Sequence, residues 1–259
     1  TGPSEEFTIT VSPTAQVEQV DDIVVCNGDE VAEIVFATTS ENDIAYSWSI
    51  DTEIGTQSLT GVGNIPLFEA DNDTNDPIVA TVTVTPSNDE TDPSLTCEGS
   101  SIEFTITVNP TAQVDPVDSL DLCNGDTAVV DFTTSNGGVD SVTTYSWEIT
   151  SGGSVFASGA LSDVGNINLP VINETNADLV ATVTVTPTYT NDGVDCTGPS
   201  EEFTITVSPT AQVDQVEDIV VCNGDEVAEI VFTTTSENDI AYSWSCLLYT
   251  SPSPRDSMT

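Results

Sequence analysis

Apolar residues in this chain recur at every second position. "FTITV" sets Phe7, Ile9 and Val11 on one face with threonine on the other, and "ATVTVTP" does the same at Ala80, Val82 and Val84 and again at Ala181, Val183 and Val185. Successive side chains of extended backbone point to opposite sides, so a period of two marks a strand with one face in a core. "VAEIVF" places Ala32, Ile34 and Phe36 inward, matching Ala128, Val130 and Phe132. "YSWSI" and "YSWEI" place Tyr46, Trp48, Ile50 and Tyr145, Trp147, Ile149 inward. No stretch carries an apolar stripe at helical spacing, and the pattern predicts an all-β protein.

The strand pattern is itself repeated. Residues 1–49 return at 197–245 with three changes, Glu18 to Asp214, Asp21 to Glu217 and Ala37 to Thr233, and a divergent copy lies between them. With Pro-Thr-Ala-Gln-Val as the start of a unit, the chain divides into the last strand of a preceding repeat (1–12), two whole repeats (13–108 and 109–207), a truncated repeat (208–245) and a tail (246–259). A unit of roughly 100 residues is large enough for its own core. Several short strands broken by turn residues in such a unit predict tandem antiparallel β-sandwiches of immunoglobulin type arranged end to end, with Trp48, Trp147 and Trp244 as core anchors.

The stretches "VCNGDEVAEIVF", "YSWSI", "GVGNIPLFEA", "PIVATVTVTPSND" and "CEGSSIEFTITVNPTAQV", in that order, resemble the PKD-like and immunoglobulin-like repeats of very large secreted Bacteroidetes proteins, surface adhesins and gliding-associated proteins among them. The resemblance covers 1–245 and implies a stalk or adhesive segment without an active site. The Trp-Asp-Phe-Gly-Asp-Gly run of a typical PKD domain is absent after Trp48 and Trp147, so the PKD part of the resemblance is the looser one. "CLLYTSPSPRD", from Cys246, resembles a translated sequencing adapter, and 246–259 is expected to be non-native.

Charge sharpens the picture. The chain holds 44 carboxylates, one basic side chain and no histidine. Arg255 and Asp256 lie in the tail, which leaves 43 acids and no cation in 1–245. Side-chain ion pairs are therefore impossible in the repeats, and the carboxylates repel one another. Raising ionic strength from physiological to 1 M shortens the screening length from about 8 to about 3 Å. A salty outside medium is expected, at the surface of a marine or salt-adapted bacterium. Nucleic acid, itself anionic, is excluded as a partner, and no segment reads as inserting into a membrane.

Catalysis has little to draw on. Without His or Lys there is no imidazole base or Schiff-base amine, and the repeats have no guanidinium, which excludes Ser-His-Asp, Cys-His and phosphoryl-transfer arrangements. The chain is expected not to be an enzyme. No cofactor is expected beyond weakly bound Ca²⁺, for which Asp71, Asp73 and Asn75 alternate as at the start of an EF-hand loop. The rest of that motif is missing: Asp76 stands where Gly is needed and Val82 where a bidentate Glu is needed. Asn72-Asp-Thr74 and Asn173-Glu-Thr175 match the N-glycosylation acceptor pattern, which a bacterial source would make accidental.

Five cysteines belong to the repeat: Cys26, Cys123 and Cys222 after the first strand, Cys97 and Cys196 before the last. Regular pairs in a secreted chain predict disulfides. Two pairings stay open, Cys26 with Cys97 and Cys123 with Cys196 within units, or Cys26 with Cys196 across units. The first places the partners at opposite ends of a strand about 20 Å long, whereas a disulfide needs Cα atoms within about 7 Å. Two functions follow from the repetition: a stalk or filament segment whose partners are neighbouring repeats, or a multivalent adhesive module binding glycans or surfaces through its loops.

Overall fold

The computed structural model describes all residues except 1, 3, 10, 12, 40–42, 89–96, 139–141 and 247–259. It is all-β, with no helix among the described residues. The first repeat contributes β1 (Ile23–Cys26), β2 (Glu30–Val31), β3 (Ile44–Ile50), β4 (Thr60–Val62), β5 (Phe68–Glu69), β6 (Ile78–Asn88) and β7 (Ile102–Asn109). The second contributes β8 (Leu120–Cys123), β9 (Thr127–Val130), β10 (Val142–Ser151), β11 (Ser162–Val164), β12 (Ile167–Pro170), β13 (Leu179–Asn191), β14 (Val194–Thr197) and β15 (Glu201–Ser208).

Each repeat packs two sheets face to face. One sheet runs β1-β7-β6-β3-β4 and its counterpart β11-β10-β13-β15-β8, with β14 added to the end of β13. The facing layers are the short pairs β2-β5 and β9-β12, extended by bridges such as Ile34 to Ile65 and Phe156 to Val171. This is the immunoglobulin-like sandwich, a sheet of three long antiparallel strands over a smaller sheet. The period-two strands fill the space between: Ala80, Val82 and Val84 meet Phe104, Ile106 and Val108 in one core, and Ala181, Val183 and Val185 meet Phe203, Ile205 and Val207 in the other. Trp48 and Trp147 are buried in these cores, at 5 and 2 % exposure. The Trp48 ring lies against Gly61, where any Cβ would overlap it.

The first strand of each sandwich pairs parallel, not antiparallel, with the last: Ile23 to Cys26 run alongside Ile106 to Asn109, and Leu120 to Cys123 alongside Ile205 to Ser208. This direction sets the fate of the cysteines.

Three expectations are corrected. Ala32 is exposed and Val31 takes its place in the core, because the first repeat has one more residue than the second between the Asn-Gly-Asp turn and the inward phenylalanine. Residues 4–9 and 11, expected as a strand, are not one: Phe7 is 85 % exposed while its equivalent Phe203 is 3 % exposed, since nothing here offers the first copy a neighbour such as β13. Trp244 is 75 % exposed and anchors no core, because no counterparts of β13 and β15 cover the truncated repeat. Residues 209–246 form no strand; their apolar side chains line an open groove of about 620 Å³ between Val216, Ile230, Phe232 and Trp244. The tail from 247 lies outside the described residues.

Candidate functional site: the junction between repeats

The second repeat meets the first at the end of β1 and β7. The junction begins with a turn, Cys-Asn-Gly-Asp, at the end of the first strand. The Cys26 N–H donates to the Asp29 carboxylate (3.0 Å), the Asp29 N–H donates back to the Cys26 carbonyl (3.1 Å), and Gly28 takes φ +84°, a conformation open to glycine at no steric cost. Parallel pairing places this turn at the exit of β7, where the Asn27 N–H donates to the Asn109 carbonyl (2.9 Å).

The second repeat brings a β-hairpin to the same place. Asn191-Asp-Gly-Val194 turns with Asp192 at φ 47° and Gly193 at φ 77°, the two left-handed residues of a type I′ turn. The returning strand β14 carries Cys196, which is bonded to Cys26 with the Cα atoms 5.5 Å apart. Ala112, Tyr189 and Val194 pack around the bond. Cys97, by contrast, precedes the start of β7, and the strand between it and Cys26 is about 25 Å long at 3.3 Å per residue.

Hydrogen bonds complete the seat. Asn27 Nδ2 donates to Thr111 Oγ1 (2.9 Å), the Gly137 N–H to the Asn75 carbonyl (2.9 Å), and Asn191 Nδ2 to Asn109 Oδ1 (2.8 Å), the last pair buried. Within the second repeat Gly198 lies so close to the Ala112 carbonyl that a Cβ would overlap it, as Gly99 does against Ala15 in the first, which explains the glycine where the hairpin meets the linker. The side chains in these bonds, Asn27, Thr111, Asn191 and Asn109, are all neutral, in a chain of formal charge −43.

The calcium candidates lie in this region, around a buried asparagine. Asn72 is buried and organises the loop: its Nδ2 donates to the carbonyls of Asp76 (2.9 Å) and Val108 (2.7 Å), and its Oδ1 accepts from Thr74 N and Oγ1. Asn173 repeats every one of these bonds. The alternating polar letters therefore include a buried plug, with Asp71, Asp73 and Asn75 exposed around it. No group of three His, Cys, Asp or Glu suited to a metal ion occurs among the described residues. The two Asn-x-Thr patterns are filled by the same plug, so neither amide is open to modification in the folded state.

Sequence reasoning missed Asn27, Asn72, Asn109 and Asn191, and the signals were available: Asn-Gly-Asp after each first-strand cysteine, and Asn-Asp-Gly before Cys196. Electrostatics at the sites is modest. Hydrogen bonding from the Thr105 backbone holds Asp22 below the usual carboxylate range, the Thr81 backbone does the same for Asp51, and the Asn238 side chain does so for Asp178. Burial pushes the Tyr46 and Tyr145 hydroxyls up.

No protein-family model matches the chain, and no curated protein matches it. Among solved structures, mouse Cadherin-23 EC22-24 aligns over 77% of this chain and 67% of its own, at 13% identity and a TM-score of 0.39. The human Desmocollin-1 ectodomain aligns over 77% of this chain at 11% identity and a TM-score of 0.35, and Drosophila N-cadherin EC1-4 over 76% at 15% and 0.32. The chain spans 43% and 50% of the length of those two. The likeness is to the fold alone.

Proposed function

We propose that this chain is a non-catalytic structural segment, a stalk or filament, of a large extracellular bacterial surface protein. The observation that carries this reading is the Cys26–Cys196 bond, which joins one sandwich to the next instead of closing either one. A flexible linker alone leaves consecutive domains free to reorient; a linker, a disulfide and a hydrogen-bonded seat fix the angle. Disulfides persist in oxidising compartments, which supports a place outside the cell. The charge supports a salt-rich medium, with Ca²⁺ and other cations held diffusely by the acidic surface rather than in a cage.

Small-angle scattering on the full chain tests the reading. Each sandwich is about 40 Å long, from strands of 11 and 13 residues at about 3.3 Å per residue. An elongated particle whose two sandwiches stay at one fixed separation, becoming variable on reduction, is expected. Two bodies of variable separation in the oxidised chain would refute it.

A second reading, a multivalent adhesive module, is favoured by an open groove of about 420 Å³ lined by Ser146, Glu148, Asp163, Thr184 and Thr186, whose hydroxyls and carboxylates suit sugar hydroxyls. Retention of the chain on a glycan array, lost in Thr184→Val, would favour this reading over a passive stalk.

A further inference from the structure

The contacts of the first junction recur one repeat further on. Cys123 ends β8 as Cys26 ends β1, and its Asn-Gly-Asp turn is the same: Cys123 N–H to Asp126 Oδ2 (2.8 Å), Asp126 N–H to Cys123 O (3.0 Å), Gly125 at φ +93°. Asn124 N–H donates to the Ser208 carbonyl (2.8 Å) and Asn124 Nδ2 to Thr210 Oγ1 (3.0 Å), as Asn27 does to Asn109 and Thr111. The Glu237 N–H donates to the Asn176 carbonyl (2.9 Å), as Gly137 does to Asn75. These contacts are thus built twice, although Ser208 stands where Asn109 accepts from Asn191, and at the second face Cys123 is an exposed thiol.

We propose that Cys123 is the preset half of a second inter-repeat disulfide, and that the end face around Asn124 and Asn176 docks one kind of partner, the cysteine-bearing hairpin of another copy of this repeat. This rests on the reading of the chain as stacked repeats. Three observations select that partner. The Cys26 turn, identical in its hydrogen bonds, is bonded to such a hairpin. Ala211, the equivalent of Ala112, is exposed here, whereas Ala112 is buried beneath Gly198 at the end of its own repeat's hairpin and Ala15 beneath Gly99, so the element missing above Ala211 is the hairpin of the same, third repeat. And the side-chain bonds that cross this face, Asn124 Nδ2 to Thr210 Oγ1 and Asn238 Nδ2 to the Asp178 carboxylate (2.8 Å), set an amide donor against each acceptor, and neither of them joins two carboxylates.

Bond formation requires an oxidant, which a small-molecule disulfide supplies. The Cys123 thiolate displaces one thiol from it to give a mixed disulfide, and the hairpin thiolate then displaces the second. Two protein thiols and one small disulfide become one protein disulfide and two small thiols, with the protons passing to the released thiolates.

The test is a chain in which 246–259 is replaced by a copy of residues 50–109, which follow the segment 1–49 that 197–245 nearly repeats, so that the truncated unit is completed and carries a copy of Cys97. After oxidation with glutathione disulfide, non-reducing peptide mapping is expected to show Cys123 joined to the copied cysteine. In Cys123→Ser that cysteine should become alkylatable, while Cys222→Ser should leave the bond intact. A Cys123 that stays fully alkylatable, or a copied cysteine bonded to Cys222, overturns the proposal. If Cys26–Cys196 and the fixed separation survive in that case, the stalk reading stands and only the second staple fails.

Discussion

Replacing Cys26 by Ser should destabilise both sandwiches by the same amount, although the substitution lies in only one. If the second repeat unfolds while the first stays folded, its chain is still tied to the first at two points, the linker at Pro110 and the bond at Cys196. The intervening stretch, about 85 residues, is then a closed loop, and by the chain-entropy account closing it destabilises the unfolded form by about 4.5 kcal/mol. If the first repeat unfolds instead, the stretch from Cys26 to Pro110 is closed in the same way and is about as long. Native disulfides typically contribute about 2–5 kcal/mol when measured, so each transition should fall by on the order of 10–20 °C. Calorimetry on the oxidised chain, Cys26→Ser, Cys196→Ser and the double variant checks this, with the double variant matching either single one and with reductant reproducing it in the parent chain. A shift confined to the repeat that carries the substitution would refute the reasoning, because it would mean that the two ties do not close a shared loop.

Other expectations are equally direct. Asn173→Ala strips the partners from buried groups including the Val207 carbonyl and should cost about 2–4 kcal/mol in a urea melt. Trp147→Ala should cost about 3–5 kcal/mol, while Trp244→Ala should leave the same melt unchanged within about 0.5 kcal/mol. At pH 7 the melting temperature should climb with NaCl towards 1 M, since there are carboxylates to screen and no ion pairs in the repeats to weaken; a flat or falling curve contradicts this. Because the Asn238 hydrogen bond lowers the Asp178 pKa from 3.8, its stabilisation is complete above the unfolded value and is lost as pH falls through the folded one. Hydrogen exchange in 209–245 should therefore accelerate below about pH 4, and Asp178→Asn should flatten that dependence.

The long strands were legible because their letters alternate, and they bury the residues that the alternation marks, while Val31, Ile54, Ile65, Val155 and Phe156 complete the cores from segments the pattern did not single out. What a strand becomes depends on its neighbours, however. In "FTITV" Phe203, Ile205 and Val207 are buried while Phe7, Ile9 and Val11 of the same letters are exposed, and the Tyr-Ser-Trp that anchors two cores ends in an open groove at Trp244. Periodicity records which face a strand would bury, and only the partner strands decide whether it does. The cysteine pairing stayed open for a related reason: it turns on whether the first and last strands run parallel, a property of two segments about 80 residues apart that neither sequence states. The Asn72 loop was read by its acids, yet its structure is set by the neutral residue between them, whose partners come from Thr74, Asp76 and Val108.

The bond between residues 26 and 196 also alters the chain as a length of string. The 170 residues it spans form a ring, and tension applied at the two termini crosses the sulfur bridge without entering that ring. Fully drawn out at 3.3–3.6 Å per residue, an unbridged chain of 259 residues reaches about 900 Å, whereas the bridged one reaches only about 300 Å. Nearly all of both sandwiches, from β2 through β13, lies inside the ring. A pull on the ends therefore loads β1, the bridge and β15, and most of the folded length is sheltered from it until the sulfur bond is reduced.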